Sequence, residues 1–303
     1  MLLEDHDIPN VALYTFFHVG SRNERPVITV YYLTNAELPL TSFRMWIRGA
    51  GYVHEPADLE GVASLTADLM LKGTAARDAN AIADALDFMA ARFGISATSE
   101  YAEGSGESLA EHFPKLLEIA ADCLMNPSFK EEEFTKERKT RIDSLKAAKD
   151  NPGLAVRDYF QKAYFGSHPM GHLASGTEAS LSKITAADIR RYYQEYYRPE
   201  KVVAAVVGDI DKTKLVELLN ATIGQWKSTG AAAPLPSVPA FLKPTSMRLI
   251  LVDKPDATQA YWVLGAPGYP IGDKITPQAA VMNARLRLSR FLVALYLGLL
   301  VVS

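Results

Sequence analysis

Histidine side chains serve both metal binding and proton transfer near neutral pH, and this chain has six of them. Only His168 and His172 lie close together in the sequence. Pro169 and Gly171 fall between these two, which favours a turn over a shared helix face. The sequence contains no H-E-x-x-H, no paired cysteine motif and no EF-hand spacing. The histidines therefore do not predict a metal site of these kinds.

The other side chains that could act as nucleophiles give no recognisable arrangement. Cys123 is the only cysteine, which rules out an internal disulfide, and it lies in an apolar helical run. We interpret it as a small core residue. No serine stands in a G-x-S-x-G motif, and no lysine follows Gly104-Ser105-Gly106 at the place a phosphate loop requires. The sequence predicts no bound cofactor.

Charge and hydropathy exclude two classes of partner. The formal net charge is −3, and the basic stretch Lys136–Arg141 follows a run of acidic residues, so we interpret that stretch as a solvated helix face and expect no nucleic acid. The apolar run Phe291–Val302 is too short for a membrane span, which needs about 20 residues. Residues 1–6 do not begin a signal peptide, and the compartment stays open.

Hydrophobic periodicity predicts alternating groups of strands and helices. The predicted strands are Val11–Phe17, Val27–Leu33, Ser42–Arg48, a strand and turn in Gly94–Ser105, and Val202–Val207. The predicted helices are Gly61–Lys72, Asn80–Phe93, Leu109–Met125, Glu131–Lys149, one that starts at Asn151-Pro152, Ile189–Tyr197 and Asp211–Trp226. Because strands and helices come in runs, the expected fold is α+β, with a mainly antiparallel sheet and helices packed on one face.

Composition divides the chain into four parts. Residues 228–240 are rich in proline and alanine and predict a linker. Residues 33–227 before it predict one complete domain, and residues 241–303 after it predict the start of a second, with strands Met247–Val252 and Gln259–Leu264. Residues 1–32 add a strand segment whose prolines recur thirty positions later. This segment is a duplication or gene fusion, or else two amphipathic strands that merely look alike.

Several stretches, in matching order and spacing over roughly residues 40 to 284, resemble the pitrilysin/insulinase family of zinc metallopeptidases, which includes mitochondrial processing peptidase. They are Gly61-Val62-Ala63, Leu71-Lys72-Gly73-Thr74, Leu124–Phe129, Glu131–Arg138, His168-Pro169-Met170-Gly171, Gly176-Thr177-Glu178, Tyr192–Pro199 and Val206-Val207-Gly208-Asp209. The resemblance implies a domain that pairs with a second, similar one around a peptide.

The family's zinc motif, H-x-x-E-H, is degenerate in this chain. The resemblance implies that Ser64 stands at the first histidine, Ala67 at the catalytic glutamate and Asp68 at the second histidine. The later glutamate ligand falls at Ser144, or at Asp143 if the register slips by one. Asp68 alone offers one oxygen where zinc favours nitrogen or sulfur. We therefore expect no metal and no catalytic residues at these positions.

The match weakens towards the end of the chain. It continues through Gly265–Pro270 and Met282-Asn283-Ala284, after which a run of arginines and the apolar tail replace the expected continuation. The sequence there is interpreted as a truncated second domain, produced by a premature or shifted reading frame.

The resemblance implies a non-catalytic partner subunit that helps a zinc-bearing relative to enclose peptide substrates. Related two-subunit proteins are often periplasmic. The strand Gly94–Ser99 is a candidate edge for peptide binding through Ser96, Ala97 and Thr98, or else it is simply part of the sheet core. Two alternatives stay open: a truncated remnant without function, and an active zinc metalloendopeptidase with a different site.

Overall fold

The computed structural model describes the backbone of residues 15–19, together with residues 28–227, 237–242, 244–253, 255, 259–265, 267, 273–279 and 281–282. Its strands are β1 Thr15–Val19, β2 Ile28–Thr34, β3 Leu40–Arg48, β4 Arg92–Ala97, β5 Tyr101–Leu109 and β6 Val202–Gly208. Its helices are α1 Val62–Leu69, α2 Ala79–Phe88, α3 Phe113–Met125, α4 Glu131–Lys149, α5 Pro152–Phe165, α6 Glu178–Lys183, α7 Ala186–Tyr196 and α8 Lys212–Ala221.

The chain forms two compact units. The first comprises Met1–Ile142 and His172–Val238, and the second comprises Asp143–Gly171 and Pro239–Ser303. Helix α4 therefore contributes residues 131–142 to the first unit. Strand β2 crosses the predicted boundary at residue 33. The domain boundaries at residues 32, 227 and 240 stay predictions.

The first unit is built on a six-stranded sheet in the order β1-β2-β6-β3-β5-β4. Only β2 and β6 pair in parallel, and the other neighbouring strands are antiparallel. Along β3, Thr41, Phe43, Met45 and Ile47 are buried, and the residues between them lie on the more exposed face. This alternation is what one helix-covered face produces. The predicted α+β class with a mainly antiparallel sheet is confirmed.

An aromatic contact joins the sheet to the helical layer. The ring of Phe43 lies 6.3 Å from that of Phe113 at the start of α3, edge to face, and 6.1 Å from that of Phe93 in β4. A Cβ atom at Gly106, opposite Phe43 on β5, would come within 2.5 Å of the Phe43 ring. Glycine at position 106 thus makes room for the ring to pack across the strand.

Several predicted helix boundaries are wrong: helix α8 ends at Ala221 instead of Trp226, and two other wrong boundaries lie next to a strand. Helix α2 ends at Phe88 instead of Phe93, because Ala90 adopts a positive φ of 47° and the Ala91 N–H closes the helix on the Leu86 carbonyl at 2.9 Å. The predicted start of α3 at Leu109 is also too early, since Leu109 is the last residue of β5. In both places an amphipathic strand continued the apolar pattern that indicated a helix.

In the second unit, an aromatic cluster joins α5 to the residues after the linker. Phe241 packs against Tyr164 and Phe165 at ring distances of 5.2 and 5.0 Å, and His168 Nε2 lies 2.7 Å from the Pro239 carbonyl oxygen. The predicted strands Met247–Val252 and Gln259–Leu264 are wrong, since neither segment is extended in a sheet. A strand needs a neighbour to complete its hydrogen bonds, and the described residues offer these segments none.

No helix within the described ranges is both long and apolar enough to cross a bilayer. The apolar run Phe291–Val302 lies outside these ranges.

Candidate functional site

Helix α1 carries Ser64, Ala67 and Asp68, three of the four positions that the resemblance assigns to the zinc motif. Its N-terminus is fixed by Glu55, whose buried carboxylate accepts hydrogen bonds from the N–H groups of Gly61 and Ala63 at 2.9 and 3.1 Å. A carboxylate at this end also matches the positive end of the helix dipole. Gly61 has a φ of 96°, which favours glycine. The motif helix is therefore firmly anchored although its motif is degenerate.

The motif positions lie on different sides of α1. Ser64 and Asp68, one turn apart, are partly exposed on the same side of the helix. Ala67 has none of its surface exposed and belongs to the core. A glutamate installed at Ala67 would therefore place its carboxylate or its stem among apolar neighbours, which costs stability unless new hydrogen bonds form.

An ion pair occupies the Asp68 carboxylate. Arg141 of α4 donates a hydrogen bond from Nη2 to Asp68 Oδ2, and only 17% of the Arg141 side chain is exposed. Burial lowers the pKa of Arg141, but a guanidinium starts so high that it stays charged at neutral pH. Lys136–Arg141 was interpreted as a solvated helix face; for Arg141 this interpretation is wrong.

Helix α4 is held against the first unit by further contacts close to Arg141. Glu137 pairs with Lys72, just beyond α1, at 3.2 Å. Arg138 donates to the Ile184 carbonyl at 3.0 Å and lies over the ring of Phe134, which is buried. The Arg141 guanidinium thus projects from a helix whose position is already set.

Ser144, the fourth motif position, lies one turn beyond Arg141 on α4, and both Ser144 and Asp143 are exposed. They belong to the second unit. The spacing of three residues between Arg141 and Ser144 on a predicted helix was a signal that could have drawn attention to Arg141 from the sequence.

The residues at the motif positions do not fit a zinc ion. Ser64 offers a neutral hydroxyl, Ala67 offers a methyl group, and the carboxylate of Asp68 is engaged by Arg141. Zinc sites in proteins use nitrogen, sulfur and free carboxylate donors, usually three or four together. Among the residues that the structure describes, no three histidine, cysteine, aspartate or glutamate side chains come close enough to hold a metal.

His168 and His172, the one close pair in the sequence, make different contacts in the structure. The predicted turn between them is present as the 3₁₀ turn Pro169–Gly171. In the first unit, His172 Nδ1 lies 3.6 Å from Glu55 Oε1, and this carboxylate raises the pKa of His172. Burial in turn raises the pKa of Glu55. His172 therefore contacts Glu55, the residue whose carboxylate holds the N-terminus of α1.

The candidate peptide-binding strand lies at the edge of the sheet. Strand β4 is one of the two edge strands of the described sheet, and α1 packs beside it. The Thr98 N–H donates to the Tyr101 carbonyl at 2.8 Å, which fixes the hydrogen-bonding phase of the hairpin. Ladder groups alternate in direction, so Ser96 pairs inward with β5, whereas the N–H and C=O groups of Phe93, Ile95 and Ala97 point outward.

The alternating direction of the backbone groups along β4 distinguishes the three predicted residues. Of Ser96, Ala97 and Thr98, only Ala97 presents its backbone groups to the free edge. The Thr98 carbonyl accepts from the Tyr52 N–H at 3.0 Å, so this group is already used and is not open to a peptide. Phe93 and Ile95 were not singled out from the sequence, because alternation in hydrophobicity does not reveal which backbone groups a neighbouring strand uses.

Comparison with known sequences identifies related proteins along most of the chain. The sequence model of the insulinase family (peptidase family M16) matches residues 30–178, and that of the peptidase M16 inactive domain matches residues 183–295. The protein "Uncharacterized zinc protease YmxG" of Bacillus subtilis is 28% identical over 239 residues, which cover 79% of this chain and 56% of the relative. An "Uncharacterized zinc protease" of Streptomyces coelicolor, SCO5738, is 27% identical over 248 residues, with coverages of 81% and 54%.

Solved structures show the same fold. A crystal structure of a peptidase M16 inactive domain from Pseudomonas fluorescens superposes with a TM-score of 0.67 at 24% identity, over 76% of this chain and 54% of the other. The periplasmic protease PqqL from Escherichia coli gives a TM-score of 0.66 at 15% identity, over 76% of this chain and 25% of PqqL. The chain spans about half the length of the curated relatives it matches. The motif frame, the sheet and these matches agree, and the chain belongs to the insulinase family, peptidase family M16.

Proposed function

We propose that this chain is a non-catalytic partner subunit that helps a zinc-bearing member of the same family to enclose peptide substrates. The observation that carries the proposal is the Arg141–Asp68 ion pair at the position of the second zinc-binding histidine. A chain with this pair, an alanine at the general base and a serine at the first ligand keeps the scaffold of a peptidase without its reactive centre.

The missing groups supply most of the chemistry of a metallopeptidase. A bound metal lowers the pKa of its water towards 7 and so provides a nucleophile. General acid–base catalysis by a side chain contributes only about 10²–10⁴-fold, whereas enzymes typically accelerate reactions by at least about 10⁶-fold. At the motif positions this chain keeps neither group, so hydrolysis is assigned to the partner.

Positioning is a contribution that the chain can make without metal. Holding a peptide in a fixed, extended geometry removes much of the entropic barrier to its cleavage. The outward backbone groups of Phe93, Ile95 and Ala97 offer the hydrogen bonds that an added strand would use. Helix α1 packs beside this strand, which matches a wall of a peptide-binding chamber.

The test is to mix the purified chain with a zinc-bearing relative encoded in the same genome. Light scattering after size exclusion should show a complex, and cleavage of a fluorogenic peptide library should rise above that of the relative alone. The same assay with an unrelated protein of equal size is the control. No complex and no stimulation would favour a remnant without function, and chelator-sensitive cleavage by the isolated chain would favour a peptidase with a different site.

A further inference from the structure

The geometry points to Arg141 as a built-in cation that substitutes for the metal ion: its guanidinium neutralises Asp68 and keeps divalent metals away from the exposed side of α1. Loss of the motif and exclusion of metal are distinct properties. A helix that has lost its histidines still presents the Asp68 carboxylate. This carboxylate can bind adventitious metal unless another group forms an ion pair with it.

The contact itself provides the first step of the argument. Arg141 reaches Asp68 from a different helix, 73 residues away in the sequence, so the pair is a tertiary contact and not a local helix pair. About a third of the Asp68 side chain is exposed, which means that solvent and small ions can approach it. The guanidinium therefore already pairs with the carboxylate for which an approaching metal ion would have to compete.

The second step is that Arg141 is held in place. The neighbouring turns of α4 are fixed by the Lys72–Glu137 pair, by the hydrogen bond from Arg138 to the Ile184 carbonyl and by buried Phe134. A guanidinium on a fixed helix cannot easily give way to an incoming ion. A divalent cation near Asp68 would meet a positive charge at short range, in surroundings where burial weakens solvent screening.

The third step concerns the choice of arginine. A lysine or histidine in this place would lose its charge more readily when buried, whereas a guanidinium stays protonated over the physiological range. Exclusion by Arg141 is therefore expected to hold between about pH 5 and pH 9. A histidine at position 141 would lose its charge above a pKa near 6.5, and it would then no longer exclude metal ions.

The experiment creates a minimal two-ligand metal site and then removes the Arg141 guanidinium. Ser64→His places an imidazole one turn from native Asp68, the spacing at which two helical side chains share an ion. The affinity of the full chain for Zn²⁺ is measured by competition with a chromogenic chelator, and for Co²⁺ by its visible absorption. Ser64→His is compared with Ser64→His/Arg141→Gln, and the single variant Arg141→Gln corrects for zinc bound elsewhere.

Removing Arg141 should raise the zinc affinity of the Ser64→His chain by at least about tenfold, because it frees Asp68 and removes the repulsion. Ser64→His/Lys139→Gln is the matched control: it removes an equal charge two positions away, from an exposed side chain of the same helix, and should change the affinity by less than about twofold because solvent screens exposed charges. If Arg141→Gln does not fold, Arg141→Met, which keeps much of the aliphatic stem, carries the same expectation.

Equal gains in the Arg141 and Lys139 variants would reduce the effect to general charge and overturn the proposal, as would no gain at Arg141. Circular dichroism and thermal unfolding of each variant establish that the comparison is made on folded chains. Either negative result would leave the partner role untouched, because that role is tested by complex formation and not by metal binding.

Discussion

At the scale of single residues, the motif positions show what sequence alone can and cannot assign. The substitutions at Ser64, Ala67, Asp68 and Ser144 follow from aligning landmarks along the chain. The occupant of the site does not, because Arg141 lies 73 residues from Asp68 and stands in a run of charges that resembles an ordinary solvated helix face. Its spacing of three residues from Ser144 is a sequence signal, but the contact with Asp68 follows only from the packing of α4.

The ion pair makes a prediction about stability. Asp68→Asn or Arg141→Gln should each lower the free energy of unfolding by about 1–2 kcal/mol, between the small values of exposed pairs and the larger ones of buried pairs. The double variant should lose less than the sum of the two, since the partners act on each other. Urea denaturation of the four chains gives the coupling energy, and Glu132→Gln, from an exposed pair with Lys136, is the control. Strict additivity of the two changes would contradict a direct interaction.

The Glu55–His172 pair predicts a pH dependence. The Glu55 carboxylate raises the pKa of His172 in the folded chain above 6.5. Protonation of His172 therefore stabilises the fold at low pH, and this contribution is lost as the pH rises through the raised pKa. The stability of the wild type relative to His172→Gln should therefore fall as the pH rises above about 6.5, by about 1.4 kcal/mol for each unit of pKa difference.

His54 provides a control of opposite sign. Burial, followed by the charge of Lys201, lowers the pKa of His54 below 6.5, so the folded chain binds fewer protons there than the unfolded chain does. The stability of the wild type relative to His54→Gln should therefore rise with pH at values below about 6.5 and level off above that value. Urea denaturation at several pH values measures both slopes, and slopes of the same sign would contradict the assignment of these two environments.

At the scale of elements, the pattern of apolar residues predicted most of the first unit correctly, because its strands and helices bury one face each. Two boundaries failed where a strand and a helix adjoin without a change in pattern, between Phe88 and Arg92 and between Leu109 and Phe113. The predicted strands near Met247 and Gln259 failed for a different reason. Alternation indicates that a segment is able to form a strand, but the hydrogen bonds must come from a neighbour that local sequence does not supply.

Strand β4 makes a prediction about peptide binding that rests on the direction of its backbone groups. Ala97→Pro removes an N–H that points to the free edge, so it should weaken binding of a labelled, extended peptide to the complex with the zinc-bearing partner by at least about tenfold while leaving the β5 ladder intact. Fluorescence anisotropy measures the affinity.

The neighbouring residue provides the matched control for the edge. Ser96 presents its backbone to β5, so Ser96→Ala, which changes only a side chain, should keep peptide affinity within about twofold. Thermal unfolding should show that the Ala97→Pro chain is folded. Unchanged affinity in that folded variant would mean that peptides do not add to this edge.

At the scale of the whole molecule, the prediction concerns how the chain divides. Residues 40–227 should resist limited proteolysis as a unit, and early cuts should fall in the proline-rich stretch 228–240. Mass spectrometry of the first fragments gives the sites. First cuts at the short connection between α4 and α5, near Asp150, would instead show that the segment which begins at Asp143 separates from the first unit.

The central claim is that this member of the peptidase family carries no catalytic metal. Its most direct test is the zinc content of the purified full chain, measured by inductively coupled plasma mass spectrometry after dialysis against metal-free buffer, with a zinc-bearing relative treated in parallel. Well below 0.1 zinc per chain is expected here and about one in the relative, because Asp68 is held by Arg141 and the other ligands are absent from the motif positions. A content near one zinc per chain would contradict the account.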